Sequence, residues 1–291
     1  MMTEVLVAPD RSGERSQRDW CQVARDPVVA GAVAGTDTPP VDSDIVARVL
    51  GGTRVWVRGA PIARWGTSRG LMIFRYLLLQ DRPVPRDRLM GLLWPGSTPA
   101  SARNNLNVAI YGLRRALEAG APGPHVVFRD GAYQIAPDRS LWLDVRMFVD
   151  ACARGARALR DGRANRAERV LRDAVTLYGG PLFADDTDGE WYLADRRMLV
   201  ERHATALHDL ASLRLDVGDA AECVELGRQV LRVEPCREVT HRLLMRAYAR
   251  QDLHHLAVRQ YRECVDTLDR VLDVRPHPDT TRTLDDILDH A

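Results

Sequence analysis

The sequence predicts a mainly α-helical protein of two units, and three observations lead there. Short β-prone pieces, three amphipathic helical stretches and a β-hairpin follow one another between residues 45 and 140. From Leu141 onward the chain reads as almost all helix. Within that part, residues recur at an offset of 34, the period of a tetratricopeptide helix pair. Strands, three helices and a hairpin in that order make a winged helix-turn-helix, α+β in class, and stacked helix pairs make an all-α repeat domain. The expected organisation is a flexible leader over 1–44, a winged helix-turn-helix domain over 45–140 and a tetratricopeptide-like domain over 141–291.

The leader mixes charges with Gly, Pro, Thr and Asp and ends in Gly35-Thr36-Asp37-Thr38-Pro39-Pro40. Without an apolar period it buries too little surface to order itself. At Ile45 the pattern changes. Ile45 to Leu50 reads as a strand, Gly51-Gly52 as a turn, and Thr53 to Arg58 as a strand with Val55 and Val57 on one face and Trp56 on the other. Gly59-Ala60 permits a further reversal into Pro61-Ile62-Ala63, so a small antiparallel sheet is expected.

Leu71, Phe74, Leu77 and Leu78 predict a first helix over 69–80, stopped by Asp81-Arg82-Pro83. A second, from Arg86 to Trp94, presents Leu89, Leu92 and Leu93 and ends at Pro95-Gly96. The third, over 99–119, gathers Ala102, Leu106, Ala109, Ile110, Leu113 and Leu117 on one side. Val126-Val127-Phe128, the turn Arg129-Asp130-Gly131-Ala132 and Tyr133-Gln134-Ile135 read as the hairpin.

In the second unit the 34-residue offset pairs Gly218 with Asp252, Leu210 with Leu244, Cys223 with Ala257 and Gly227 with Tyr261. An earlier copy runs through Gly162, Ala167, Leu171 and Ala174. It is separated from the others by a longer stretch holding Gly179-Gly180-Pro181-Leu182 and Asp185-Asp186-Thr187-Asp188, expected to be a solvated acidic loop. Arg214 and Gly227 depart from the repeat, which favours larger apolar residues there.

All 41 Lys+Arg residues are arginine. The lack of lysine excludes phosphate-loop ATPases, Schiff-base enzymes, protein kinases and Ser–Lys hydrolases. The net charge of +1 hides a segregation. Residues 1–44 carry 4 arginines against 8 acids, residues 45–140 carry 14 against 5, and residues 141–291 carry 23 against 27. The +9 block therefore coincides with the winged helix-turn-helix order, as a polyanion partner requires.

The third helix is the candidate reader of double-stranded DNA. A helix in the major groove needs an apolar side docked on its own domain and an opposite side of amides and guanidiniums. Arg103, Asn104, Asn107, Tyr111, Arg114 and Arg115 supply that side, and Arg129 at the hairpin tip would lay its guanidinium along the minor groove.

Other motifs reduce to structure. Gly66-Thr67-Ser68-Arg69-Gly70 fits the G-x-S-x-G of serine hydrolases but lacks the alternating strand–helix context, so Thr67 or Ser68 reads as a helix cap. The eight histidines have no metal-ligand spacing, and Asp185, Asp186, Asp188 and Glu190 lack the rest of a calcium loop. Trp191, Tyr192 and Leu193 read as packing residues. The five cysteines, widely spaced and odd in number, are expected to be reduced thiols, mostly packing residues. No catalytic group, metal or cofactor is expected. No apolar run approaches the ~20 residues of a membrane helix. The expected location is the cytoplasm, on the nucleoid, with no membrane partner.

Leu89-Met90-Gly91-Leu92-Leu93-Trp94, Ala100-Ser101-Ala102-Arg103-Asn104-Asn105-Leu106 with Leu113-Arg114-Arg115-Ala116-Leu117, and Arg129-Asp130-Gly131-Ala132-Tyr133 resemble the SARP-type antibiotic regulatory proteins. Leu177-Tyr178-Gly179-Gly180-Pro181-Leu182, Ala247-Tyr248-Ala249-Arg250 and Gln260-Tyr261-Arg262 continue the resemblance, which covers about residues 45–290. It implies an OmpR-type winged helix followed by a bacterial transcriptional activator domain, in the short form without an appended ATPase or phosphate-sensing domain. It further implies an activator that binds direct repeats near promoters as side-by-side protomers and recruits RNA polymerase, commonly for secondary-metabolite genes. By the same resemblance DNA contacts fall on Arg103, Asn104, Asn107, Tyr111, Arg114 and, in the wing, Arg129. Gly112 stands where the pattern has arginine, Ala132 replaces a wing glycine and Tyr111 a smaller polar residue. The competing expectation is a protein–protein adaptor whose DNA-binding domain has degenerated through Gly112. A hydrolase using Ser68 is the third.

Overall fold

The structure, a computed structural model, describes residues 42–186 and 189–290. Residues 1–41 of the expected leader lie outside the described residues, as do Cys21, Thr187 and Asp188. Asp44, assigned to the leader from sequence, is instead tied into the fold. Its carboxylate accepts from Ser140 N at 3.0 Å and Arg58 Nε at 3.0 Å, and these bonds hold its pKa at about 2.

The first unit opens with β1 (Ile45–Arg48), β2 (Arg54–Val57) and β3 (Ala60–Pro61), antiparallel with Ile45 opposite Val57 and Trp56 opposite Pro61. Period-2 alternation splits their side chains: Ile45, Ala47, Val55 and Val57 enter the main core, while Val46 and Trp56 form a small cluster on the other face. The sheet does not end there. Strand β7 (Leu141–Leu143) pairs with β1 in parallel, Ile45 opposite Leu141. Trp142 completes the Val46–Trp56 cluster and Leu143 enters the core, so the residues just past 140 pack with this sheet.

The three expected helices form as α1 (Ser68–Leu78), α2 (Arg86–Leu93) and α3 (Pro99–Glu118). Thr67 Oγ1 accepts from Gly70 N at 2.9 Å, so the hydrolase-like segment is a helix cap. Thr98 caps α3, with Pro99 in its first turn. A short β4 (Val84–Pro85) pairs with β6 (Ala132–Ile135), which pairs with β5 (Val126–Arg129) to make the wing. Asp130 and Gly131 both have positive φ, 48° and 79°, as a two-residue hairpin loop of matched twist demands.

Among the described residues seven helices follow: α4 (Asp144–Arg160), α5 (Ala164–Leu177), α6 (Leu193–Asp216), α7 (Ala220–Val233), α8 (Glu238–Ala249), α9 (His254–Leu272) and α10 (Pro278–Asp289). Three antiparallel pairs, α4/α5, α6/α7 and α8/α9, stack with α10 as the last layer. Gly162, Gly218 and Asp252 each stand two residues before the second helix of a pair, in the left-handed region at φ 70°, 89° and 58°. The repeat read from the sequence is therefore a repeat of turn geometry.

Its departures have local reasons. A Cβ on Gly227 would lie 2.6 Å from Leu244 Cδ2, so the leucine occupies the space a larger residue would need. Arg214 reaches Glu168 at 2.9 Å, Asp219 at 2.7 Å and Glu222 at 2.6 Å, and joins α5, α6 and α7 through charge rather than apolar contact. Cys223 and Cys264 are buried packing residues, and all four described cysteines are free thiols.

Candidate nucleic-acid interface

Helix α3 is locked by one side. Ala102, Leu106, Ala109, Ile110, Leu113 and Leu117 are buried in the core shared with α1 and α2. At α1 the helix backbones come close: a Cβ on Gly70 would stand 3.2 Å from Ala109 O, and one on Gly66 3.3 Å from Gly112 Cα. Gly112 thus faces the loop that leads into α1, not the outward side. Its own Cβ position is 3.9 Å from Gly66 Cα, an ordinary contact.

With that side fixed, α3 presents Asn104, Val108, Tyr111 and Arg115 outward, flanked by Arg103 and Asn107, all exposed. Val108 is 57% exposed and Tyr111 64%. Val108 had no place among the candidate contacts read from sequence, although its position four residues after Asn104 puts it on the same stripe. Arg115 Nη1 donates to Tyr111 Oη at 3.5 Å, one turn apart.

Arg114 is placed differently from its neighbours. It is half-buried, and its Nε donates to Val126 O on β5 at 3.0 Å, which ties α3 to the wing. The wing is held at two further points. Arg86 N at the start of α2 donates to Gly131 O at 2.9 Å, and the Phe128 and Tyr133 rings pack with centroids 4.6 Å apart. Burial raises the Tyr133 phenol above its usual range, against the nearby positive charges of Arg114 and Arg86. Arg129 is exposed at the end of β5, on the wing and not on α3.

Behind this surface the helical unit is welded to the winged helix. Arg75 on α1 is 4% exposed, and its guanidinium meets Asp185 at 2.6 Å, Asp186 at 2.7 Å and Thr53 Oγ1 at 2.9 Å. The stretch expected to be a solvated acidic loop is therefore, at Asp185 and Asp186, the counter-charge of a buried arginine. The physical reason is desolvation: a guanidinium this deep needs carboxylates beside it.

Just before it, Leu182 bridges Leu50, Phe183 N donates to Val49 O at 2.8 Å and Gly51 N to Pro181 O at 3.1 Å. A Cβ on Gly51 would lie 2.5 Å from Gly179 O, so the glycines are what let the two segments meet. Asp144, fully buried at the start of α4, accepts from Val49 N, Leu50 N and Val145 N at 2.8–3.0 Å. Burial pushes its carboxyl up to about 6, opposed by those three donors. One continuous core runs from Ile45 through α1–α3 into Phe148, Phe183 and Tyr192.

In the repeat, an open groove between α6, α8 and α10 is lined by His208, Arg242, Arg246, Asp279 and Asp286. Burial and the facing Arg237 and Arg242 hold His208 at about 4, neutral at physiological pH. Among the described residues no group of three or more His, Cys, Asp or Glu is arranged to hold a metal ion, and no helix is long and apolar enough to cross a membrane.

Comparison with known proteins agrees with this architecture. The family described as "Bacterial transcriptional activator domain" matches residues 143–288. The chain is 26% identical over 238 residues to the transcriptional regulatory protein MoaR1 of Mycobacterium tuberculosis, covering 81% of this chain and 76% of the relative. It is 28% identical over 199 residues to the transcriptional regulator RedD of Streptomyces coelicolor, covering 67% and 56%. A solved structure of Mycobacterium tuberculosis EmbR, in complex with a low affinity phosphopeptide, superposes with a TM-score of 0.74 at 25% identity, over 85% of this chain and 66% of that one. With half its length matched by the activator-domain family and a winged helix-turn-helix joined ahead of it, the chain belongs to the SARP-type regulators that carry a bacterial transcriptional activator domain.

Proposed function

We propose that this transcriptional regulator is a sequence-specific DNA-binding activator, reading promoter DNA with α3 and laying Arg129 of the wing beside it. The observation that carries the reading is the two-sidedness of α3: six apolar residues bury one side, and Asn104, Asn107, Val108, Tyr111 and Arg115 leave the other exposed. Arg103, Arg115 and Arg129 supply phosphate and guanine contacts, Asn104 and Asn107 adenine contacts, and Val108 an apolar surface for a thymine methyl. Arg114 acts from the α3–wing junction. By family likeness the sites are direct repeats bound by adjacent protomers, the partner is RNA polymerase, and the genes belong to secondary metabolism. That work places the protein in the cytoplasm, on the nucleoid, with no catalytic role.

The test is a binding titration against salt, using short duplexes that end at the winged-helix footprint, taken from genomic fragments selected by the full chain. If about five arginines neutralise phosphates, the log–log slope is about −4 to −5. A flat response overturns the proposal. The adaptor reading rests on the groove between α6, α8 and α10. It requires that replacing Asn104, Asn107 and Arg115 together leaves promoter activation unchanged in an in vitro transcription assay.

A further inference from the structure

The helical unit is acidic overall, yet residues 154–172 carry seven arginines against Asp161 and Glu168. These lie on the end of α4, the turn and α5, at the tip of the first helix pair. Two of the seven are spoken for: Arg154 pairs with Asp150, and Arg172 with Glu168 and Glu222. The side chains of Arg157, Arg160, Arg163, Arg166 and Arg169 are exposed and have no partner among the described residues. Elsewhere in the unit Arg214 and Arg237 meet acids, while Arg228 and Arg242 bond the hydroxyls of Tyr248 and Thr280.

Arg157 and Arg160 lie in the last turn of α4, where the helix dipole favours positive charge, but the next arginines run against theirs. Arg163 is the residue before α5 and Arg166 lies in its first turn, which has no acid. There the helix dipole already presents its positive end and disfavours more positive charge. A cluster of five guanidiniums with no ion-pair partner among the described residues, two of them at the positive end of a helix, is suited to an anion brought from outside.

The chemistry around the arginines separates two kinds of anionic partner. Interfaces between proteins centre on apolar and aromatic side chains, with charges at the rim. None of the exposed large apolar residues of this protein falls between 154 and 172, where the other exposed positions include Gly162, Ala164 and Asn165. A nucleic-acid backbone needs no apolar anchor; it takes guanidiniums, amides and the free N–H groups of a helix start.

We propose that the α4–α5 tip is a second, sequence-independent DNA contact, in which Arg157, Arg160, Arg163, Arg166 and Arg169 hold phosphates outside the site read by α3. This inference rests on the DNA-binding reading of α3 and extends the footprint beyond the winged helix.

The test compares the full chain with a variant in which these five arginines are glutamine. Each is bound to two duplexes carrying the selected site, one ending at the winged-helix footprint and one about 20 base pairs longer, over a range of salt. For the unaltered chain the longer duplex is expected to bind about ten-fold tighter, with a slope steeper by about 3 to 4. The variant loses that gain, keeps its affinity for the short duplex and keeps its preference among sites. Its melting temperature, equal to or above that of the unaltered chain, shows that it folds.

Equal length dependence and equal slopes in the two chains overturn the proposal. If in addition only the unaltered chain binds a polyglutamate probe, the patch belongs to an acidic protein surface instead. Failure of both chains to bind any duplex removes the reading of α3 and this extension together.

Discussion

Arg75 and Asp186, 111 positions apart in the chain, meet at 2.7 Å with both side chains almost fully withdrawn from solvent. The pair joins α1 of the winged helix to the segment that precedes α6, and Phe183 lies under the same guanidinium with its ring centre 5.2 Å away. The two units are therefore not beads on a linker. Helix α1 in turn packs directly on α3, so this contact stands one helix away from the exposed stripe of α3.

Replacing Arg75 with alanine removes the guanidinium that meets the buried Asp186 carboxylate. Breaking a buried pair in this one-sided way costs about 3 kcal/mol. Calorimetry of the full chain is expected to show the single cooperative transition of a shared core for the unaltered protein, and a lowered, broadened or split transition for Arg75→Ala. An unchanged transition would mean that the two units unfold independently of this contact.

Gly66 and Gly112 respond oppositely to alanine. At Gly112 the added methyl has ordinary space, 3.9 Å from Gly66 Cα, and the helix interior gains up to ~1 kcal/mol. At Gly66, φ is 69° and the methyl meets Gly112 at 3.3 Å, so the fold loses about 1 to 3 kcal/mol. Urea midpoints read both signs. Destabilisation by Gly112→Ala would place a neighbour where the structure leaves room.

Asp144 makes stability depend on pH in a stated direction. Its folded-state value, about 6, stands above the ordinary 3.8, so its protonated form favours folding below about pH 4 and that advantage is lost as pH rises through about 6. The melting-temperature difference between the unaltered chain and Asp144→Asn should therefore shrink from pH 4 to 6 and level off above. A widening difference over that range would show that the N–H bonds from Val49, Leu50 and Val145 outweigh burial.

Under the proposed DNA-binding function, the exposed stripe of α3 divides the labour between contacts. Asn107→Ala is expected to relax sequence preference by about 1 to 3 kcal/mol at one position. Arg114→Ala should weaken binding to all duplexes and also lower the melting temperature, since it removes the bond to Val126 O that steadies the wing. Uracil in place of thymine throughout the selected site should weaken the unaltered chain and leave Val108→Ala indifferent. Equal sensitivity of both chains to uracil would remove Val108 from the readout.

Much of this architecture was legible in the sequence. The stripe from Ala102 to Leu117 marks α3 and its buried side, Asp130-Gly131 marks the wing turn, and Thr67 and Thr98 stand where helix caps belong. The less visible features are pairings at a distance. Nothing near Asp185 and Asp186 announces that Arg75 will need them, nothing in Leu141–Leu143 announces a fourth strand beside Ile45, and Arg114 looks like its neighbours until β5 is in place.

The division follows from the range of the forces involved. Helices, turns and the charge of each segment depend on residues within one or two turns of one another, so a period of 3.6 or 2 and a glycine at a left-handed position suffice to place them. The sequence by itself determined the order of the three helices and the wing hairpin, the buried side of α3 and the +9 block around it. Only the tertiary structure decided which charges lose their water. Burial gives Arg75 its carboxylates and turns Arg114 toward the wing, while the arginines at the α4–α5 tip stay in solvent without a partner among the described residues.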